Sequence, residues 1–407
     1  MQLENIGFYT LTDQRAKTAS DTSPMMRGEI LLTDKCNFNC PYCRGVRKDC
    51  QGEMNPSVVA QIIRHWTPIK NIRFSGGEPT LYPHLVEAIN YAKKCGIERI
   101  AISTNGSANI NYYKKLIRYG VNDFSISLDA CCASKGKEMS GGINAWDKVV
   151  NNIKELSKLT YVTVGMVFTP DNINESVESV KFAHSLGVSD IRVISSAQYN
   201  EALTNLIDLE PELLEAHPIL KYRINNFKSG HNVRGIKETD FHRCPMVLDD
   251  TAIAGNFHFP CIIYLREQGN PIGEIGPNMR QERLNWFRSH NTHEDPICKG
   301  NCLDVCVAHS NKYRDFHLDI PLPKTDSSLF EWNLWRAGSI HDLITGPCRT
   351  MNIVSQRDLI KKYAVGWCKG ESVTSRPKCG ETTLMVHKDE KHFWFHLRNN
   401  EVYEIWR

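Results

Sequence analysis

Three cysteines stand close together near the start of the chain, in Cys36-Asn-Phe-Asn-Cys40-Pro-Tyr-Cys43. A loop with three thiolates cannot supply all four ligands of a closed metal site. On a [4Fe–4S] cluster the same three thiolates would leave one iron open to an external ligand. A structural zinc would want a fourth Cys or His at close spacing, and the nearest, Cys50, sits in a polar Lys/Asp/Gln stretch. A second set of thiols lies far downstream. Cys244 and Cys261 flank a stretch that reads as two short strands joined through a turn at Gly255, which would bring the two thiols together. Cys298, Cys302 and Cys306 follow at i, i+4 and i+8, so a continuous helix would line them along one side. The chain has 15 cysteines, an odd number that a closed set of disulfides cannot use up. Clustered thiols without a signal peptide point to bound metal rather than cross-links.

The elements that must position the first set alternate in type. Strand candidates are Glu29–Thr33, Asn71–Ser75, Arg99–Ser103, Phe124–Leu128, Tyr161–Phe168 and Asp190–Ile194. Amphipathic segments lie between them at Ser57–Trp66, Leu85–Lys94, Tyr112–Tyr119, Ala145–Lys158 and Ser176–Ser185, and Gly96, Gly120 and Gly187 stand where a C′ glycine is expected. Six strand–helix repeats without hairpin signals give an α/β class with a parallel sheet, doubly wound or curled into a partial barrel. In either architecture ligands sit at the C-terminal strand ends. The cysteine triplet directly follows the first strand. Ser75-Gly76-Gly77-Glu78-Pro79 ends the second, Ser103-Thr104-Asn105-Gly106 the third and Ser127-Leu128-Asp129 the fourth, while Arg192 and Ser195 lie at the sixth. Two glycines open a turn to close ligand approach, and Glu78 is an acceptor for an ammonium group.

The chain has 407 residues with 41% hydrophobic and 23% charged residues, which excludes a disordered polypeptide. No run of about 18 apolar residues occurs, so no membrane span and a cytoplasmic location are expected, in a bacterium or a phage-infected host. A formal net charge of +3 does not by itself imply a polyanionic partner. The expected divisions are a lead-in at 1–27, the strand–helix core at 28–205, connector helices (Leu206–Lys228) and a Cys-rich region at 206–320, and a C-terminal module at 321–407. That last stretch holds five of the eight tryptophans and 13 Lys+Arg against 10 Asp+Glu, and ends in a hairpin-like pair, Thr382–His387 and His392–Leu397.

CxxxCxxC with an aromatic residue before its third Cys, placed after the first strand and one βα unit before a Gly-Gly-Glu, resembles the radical S-adenosylmethionine (SAM) superfamily. The resemblance covers roughly residues 28–200 and implies a partial (β/α)6 TIM-like barrel. It also implies that Cys36, Cys40 and Cys43 ligate a [4Fe–4S] cluster whose open iron takes SAM. An electron from an external flavodoxin- or ferredoxin-type reductant would then release a 5′-deoxyadenosyl radical. By the same resemblance Tyr42, Gly76, Gly77, Glu78, Ser103, Asn105, Ser127, Asp129 and Arg192 contact SAM. The family's GxIxGxxE element has no match: Val164-Gly165-Met166-Val167 lacks its glutamate. The downstream cysteines resemble the twitch and SPASM extensions of that family, which implies one auxiliary [4Fe–4S] cluster on Cys244, Cys261, Cys302 and Cys306, with Cys298 a substitute for either of the last two; a structural zinc in the same ligands stays open.

Two substrate classes are implied. Asn5–Ala16 and Phe257–Arg266 are similar to radical SAM proteins of tailed phages, some of which rearrange an amino acid attached to thymidine in DNA. The tail's interleaved Trp335, Arg336, Arg349, Lys361, Lys362, Trp367, Lys369, Arg376, Lys378, Trp394 and Arg398 suit stacking plus phosphate neutralisation. The other class, a ribosomally made peptide, follows from the habit of SPASM and twitch members.

Overall fold

Each strand of the N-terminal sheet carries two chemistries, one per face, because successive side chains of a strand point to opposite sides. The computed structural model describes residues 13–66, 69–196 and 199–317, together with the backbone of 381–388, 391–398 and 401–406. It divides into two compact units, Met1–Tyr313 and Arg314–Arg407.

In the first unit six strands run parallel in sequential order: β1 (Arg27–Leu31), β2 (Asn71–Ser75), β3 (Arg99–Thr104), β4 (Asp123–Ser127), β5 (Tyr161–Phe168) and β6 (Asp190–Ser195). Helices Pro56–Trp66, Leu85–Lys94, Ile110–Tyr119, Trp146–Ser157 and Ser176–Ser185 make the crossovers. Gly96, Gly120 and Gly187 end three of them with φ of 81°, 131° and 74°, the left-handed conformation a C′ residue adopts. One strand face is apolar: Ile30, Phe74, Ile100, Ile102, Phe124, Ile126, Val162, Val164, Ile191 and Val193 are all fully buried in the largest core cluster. Burying such side chains is worth roughly 1.5–3 kcal/mol each. The other face is polar. Glu29 pairs in register with Arg73, and Asp123, Ser125, Thr163 and Arg192 share their side. This lumen is not the layered aliphatic interior of a closed eight-stranded barrel.

The sheet extends beyond the six expected strands. β7 (Asp250–Ala254) pairs parallel with β1 on the edge away from β2, and β8 (Phe257–Phe259) and β9 (Gly273–Glu274) follow antiparallel. β6 and β9 form the two edges, so the barrel is open.

Two local expectations need correction, and the connector and the lead-in take definite form. The stretch from Cys244 to Cys261 is not a plain hairpin, because a helical turn, Met246–Asp249, precedes β7. Cys298 and Cys306 do not share one helix: Pro296–Asn301 ends at Cys302, whose ψ of 138° is extended, and a new helix runs Asp304–His317. The connector is two helices, Pro211–Ala216 and Pro218–Lys228, each started by a proline. The second packs against β6 as a sixth crossover helix would, with Arg223 donating to the Val193 carbonyl. Within the lead-in, Gln14–Thr18 is helical, Ala16 and Ala19 are fully buried, and Arg15 pairs with Asp249.

In the second unit, Glu381–Lys388 and Lys391–Arg398 form the expected antiparallel pair, and Glu401–Trp406 adds a third strand. Trp394 and Arg398 lie on the middle strand. The other tail residues singled out above, and Cys348, Cys368 and Cys379, lie outside the described residues.

Candidate active site

Because the strands are parallel, their C-terminal ends and following loops gather at one mouth. The loop after β1 carries the triplet there, with Cys36 and Cys43 exposed and Cys40 half-buried, none in a disulfide. Four neighbouring segments hold this loop. Gly77 donates its N–H to the Thr33 carbonyl at 2.6 Å and Glu78 to that of Lys35 at 2.7 Å. A Cβ on Gly77 would lie 2.2 Å from the Lys35 oxygen, so only glycine permits the approach. On the opposite side Asn39 donates to the Ser140 carbonyl, and a Cβ on Gly141 would lie 2.0 Å from the Asn39 oxygen. Asn37 donates to Ser107 Oγ at 2.9 Å and accepts from Asn105 at 2.8 Å. Arg266, from the Cys-rich region, donates to the carbonyls of Gly45 and Gly76 and so ties the triplet loop to the Gly-Gly turn.

A cavity of about 420 Å3 opens at this mouth and runs down the lumen. Cys36, Cys40, Cys43, Tyr42, Gly76 and Gly77 line it, as do the strand-end residues Ser103, Asn105, Ser127 and Asp129 and, from β6, Arg192. Cys306 lines it from the other side, so the two cysteine sets face one space.

Two carboxylates expected to contact SAM are occupied by protein donors. Glu78 is 1% exposed, and its Oε1 accepts from Thr80 N, Thr80 Oγ1 and Thr104 Oγ1 at 2.6–3.0 Å. Its Oε2 accepts from Asn105 N at 2.7 Å. The carboxylate thus braces the β2 turn against the β3 turn, and the groups of its own turn that reach the cavity are Gly76 and Gly77. Burial raises its pKa, with the four donors opposing. Asp129 accepts from Tyr42 Oη and, at 2.6 Å, from Val167 N. Burial pushes it up to about 6 while those bonds pull it down. It therefore anchors Tyr42, the residue beside Cys43, on β4 and β5.

The triplet is suited to a metal cluster: three unpaired thiols on one loop, facing a cavity whose walls include polar strand ends. Although Cys36 is exposed as a residue, partial desolvation of its sulfur raises the thiol, and burial pushes that of Cys40 up to about 11, so a bound metal would have to displace protons. Downstream, Cys244, Cys261, Cys298, Cys302 and Cys306 converge despite the broken helix. Burial, then Cys261 and Cys306, raise Cys244. Burial pushes Cys261 up to about 12, and a bond with Cys306 followed by burial raises Cys302. Cys298, the substitute ligand, sits with them: burial and then Cys244 raise it, and its Sγ is 3.9 Å from His290 Nε2. The five thiols are thus neighbours, and an auxiliary cluster would need four of them.

Several site residues were not singled out from the sequence. Arg44, Arg73, Arg223, Arg234 and Arg266 line the cavity with Arg27 and Arg192, against Glu29 and Asp129 among acidic residues. A signal exists in the strand Asn-Ile-Arg-Phe-Ser, where polar residues alternate with apolar ones in a strand covered on both faces. Arg234 and Arg44 lie outside strands and carry no such pattern.

Residues 30–183 match the model of the Radical SAM superfamily. A probable GTP 3′,8-cyclase of Sulfurisphaera tokodaii is 28% identical over 218 residues, 48% of this chain and 69% of that protein. One of Pyrococcus horikoshii is 33% identical over 165 residues, 39% of this chain and 53% of its own length. The chain thus spans between about half and two thirds of the curated relatives it matches. The solved structure of polyhistidine-tagged anSMEcpe with bound AdoMet has a TM-score of 0.52 at 17% identity, covering 72% of this chain and 96% of that one, a likeness of fold.

Proposed function

We propose, on the match of residues 30–183 to the Radical SAM superfamily, that the chain is a radical SAM enzyme, that Cys36, Cys40 and Cys43 hold the [4Fe–4S] cluster this family uses, and that the enzyme rearranges an amino acid carried on thymidine in DNA. Held there, the cluster would pass one electron from an external reductant to SAM, and the chemistry supplied would be that of a 5′-deoxyadenosyl radical. The protein's own part is placement. Tyr42, pinned by Asp129, fixes the loop between Cys40 and Cys43; Gly76 and Gly77 offer backbone at contact distance; Ser103, Asn105, Ser127 and Arg192 supply polar groups along the cavity. Cys244, Cys261, Cys302 and Cys306, with Cys298 as substitute, would hold one auxiliary cluster on the far side.

The observation that carries the reading is the shared cavity: the triplet and Cys306 open onto one space. Support for a nucleic-acid-linked substrate comes from the arginine-rich lining, from the basic and tryptophan-rich tail and from relatives named for a guanine nucleotide. Favouring the alternative, a maturase of a ribosomally made peptide, is the twitch/SPASM-like cysteine layout. A titration of DNA binding by the full chain against salt separates them. Phosphate contacts predict an affinity that falls steeply and linearly in log–log form. Absence of DNA binding even at low salt would transfer the reading to peptides.

A further inference from the structure

Within the lumen, β2 and β6 each present an arginine to the same space, Arg73 and Arg192. Arg73 is 6% exposed, and its Nε has no hydrogen-bond partner among the described residues. The carboxylate it approaches, that of Asp123, is 4.0 Å away and is already paired with Arg99 at 2.6 Å. Arg192, among its contacts, donates to the neutral Ser125 Oγ at 3.1 Å. Of the other acids of the floor, Asp250 is paired with Arg27, and Glu29, whose Oε1 accepts from the Ser75 hydroxyl, keeps its charge and favours that of Arg192. Among these side chains four guanidinium groups therefore face three carboxylates. Higher in the cavity Arg234, 1% exposed, donates to neutral oxygens of Ser195 and Asn301. Two like charges side by side in a buried lumen are costly unless a bound anion offsets them. The pKa of Arg192 falls to about 9, first from burial and next from Arg73, with Glu29 and Asp123 opposing.

Resting on the radical SAM reading above, we propose that Arg73 and Arg192 form a receptor for an oxyanion of the substrate, a phosphate or a carboxylate, seated in the lumen below the triplet. A guanidinium offers parallel N–H donors that match such a group two at a time, and the unpaired Nε of Arg73 is one of them. The receptor fixes how deep the substrate enters, and so which of its atoms lies beside the cysteine loop. A neutral substrate would add no anion to a floor where guanidinium groups outnumber carboxylates, and would bind less well.

The same chemistry could come from the carboxylate of SAM, so the test has two arms, both on the full chain with its iron–sulfur content restored anaerobically. In the first, inorganic phosphate and, separately, acetate are titrated with SAM saturating while the unfolding midpoint is followed. Binding to the native state alone raises the midpoint with the logarithm of anion concentration above Kd, beyond the rise given by chloride at equal ionic strength. In the second, SAM affinity is measured by equilibrium dialysis. Arg73→Gln should lower anion affinity about tenfold or more, the loss of one charge-assisted pair. SAM affinity and uncoupled 5′-deoxyadenosine formation should stay within about twofold, and Arg73→Lys should recover part of the anion effect. A tenfold loss of SAM affinity in Arg73→Gln would assign the pair to SAM and overturn the proposal. So would a parent midpoint that neither phosphate nor acetate raises beyond the chloride control, a result independent of how the variants fold. Failure to form 5′-deoxyadenosine at all would instead overturn the reading beneath it.

Discussion

Arg223→Met tests whether a buried ion pair fixes the Cys-rich region to the barrel. Arg223, on the helix that packs against β6, donates to Asp304 Oδ1 through Nε at 3.0 Å and through an Nη at 2.6 Å. Asn226 donates to Asp304 Oδ2 at 3.1 Å, and the two charged side chains are 3% and 2% exposed. Asp304 begins the helix that carries Cys306, two residues on. Removing the guanidinium leaves a buried carboxylate with one amide donor, which costs about 3–5 kcal/mol. In a unit of this size each kcal/mol moves the midpoint by roughly 2–4 °C, so a fall of about 6–20 °C is expected. The double variant Arg223→Met/Asp304→Leu removes both charges and should regain most of the loss, because the desolvation of each is no longer incurred. Thermal unfolding by circular dichroism, under anaerobic conditions and with iron content matched, gives both numbers. A single variant within about 1 kcal/mol of the parent would refute the argument, as would a double variant less stable than the single.

Three further outcomes follow from particular residues. Asp190 is fully buried, and burial pushes it up to about 7 against backbone donors such as Ile219 N. Its folded state thus holds a proton that the unfolded chain releases, so it contributes stability present at low pH and lost as pH rises through 7. Between pH 8 and pH 6 that amounts to about 1.4 kcal/mol, which denaturant titrations should find in the parent and miss in Asp190→Asn. Gly77→Ala places a methyl group 2.2 Å from the Lys35 oxygen, and the cysteine loop must shift. A loss of about 1–3 kcal/mol and of SAM affinity is expected, and an unchanged dialysis constant would count against the close approach. If the downstream thiols hold a second cluster, the protein carries about eight irons, and about four in a triple variant of Cys36, Cys40 and Cys43. Zinc in that variant, with no iron, would contradict the auxiliary cluster.

Much of the barrel was legible because its strands and helices are short, periodic and ended by glycines. Asn71–Ser75, Leu85–Lys94, Tyr161–Phe168 and Ser176–Ser185 have the expected bounds. Local spacing failed where tertiary contacts decide. β7 joins β1 from 223 residues away (Arg27 against Asp250), and nothing local in Asp250–Ala254 states which strand it will pair with. An i, i+4, i+8 pattern implied one helix through Cys298–Cys306, but Cys302 turns extended, so the thiols are not lined along one helix face. At the site, residue types announced the triplet and the Gly-Gly turn. They could not show that Glu78 spends its oxygens on Thr80, Thr104 and Asn105, since the last two donors come from another strand's end. The arginines of the lumen were written in the strand alternation, yet Arg234 reaches the cavity only through the path of its loop.

The measurement closest to the central claim is 5′-deoxyadenosine release from SAM by the anaerobically reconstituted full chain with dithionite, parent against Cys40→Ala. Cys40 lines the cavity between the other two thiols of its loop, and its loss removes one of three cluster ligands. Release by the parent and none by the variant is the predicted result. Release at the parent rate by Cys40→Ala, or none from a parent protein that has taken up its iron, would contradict it.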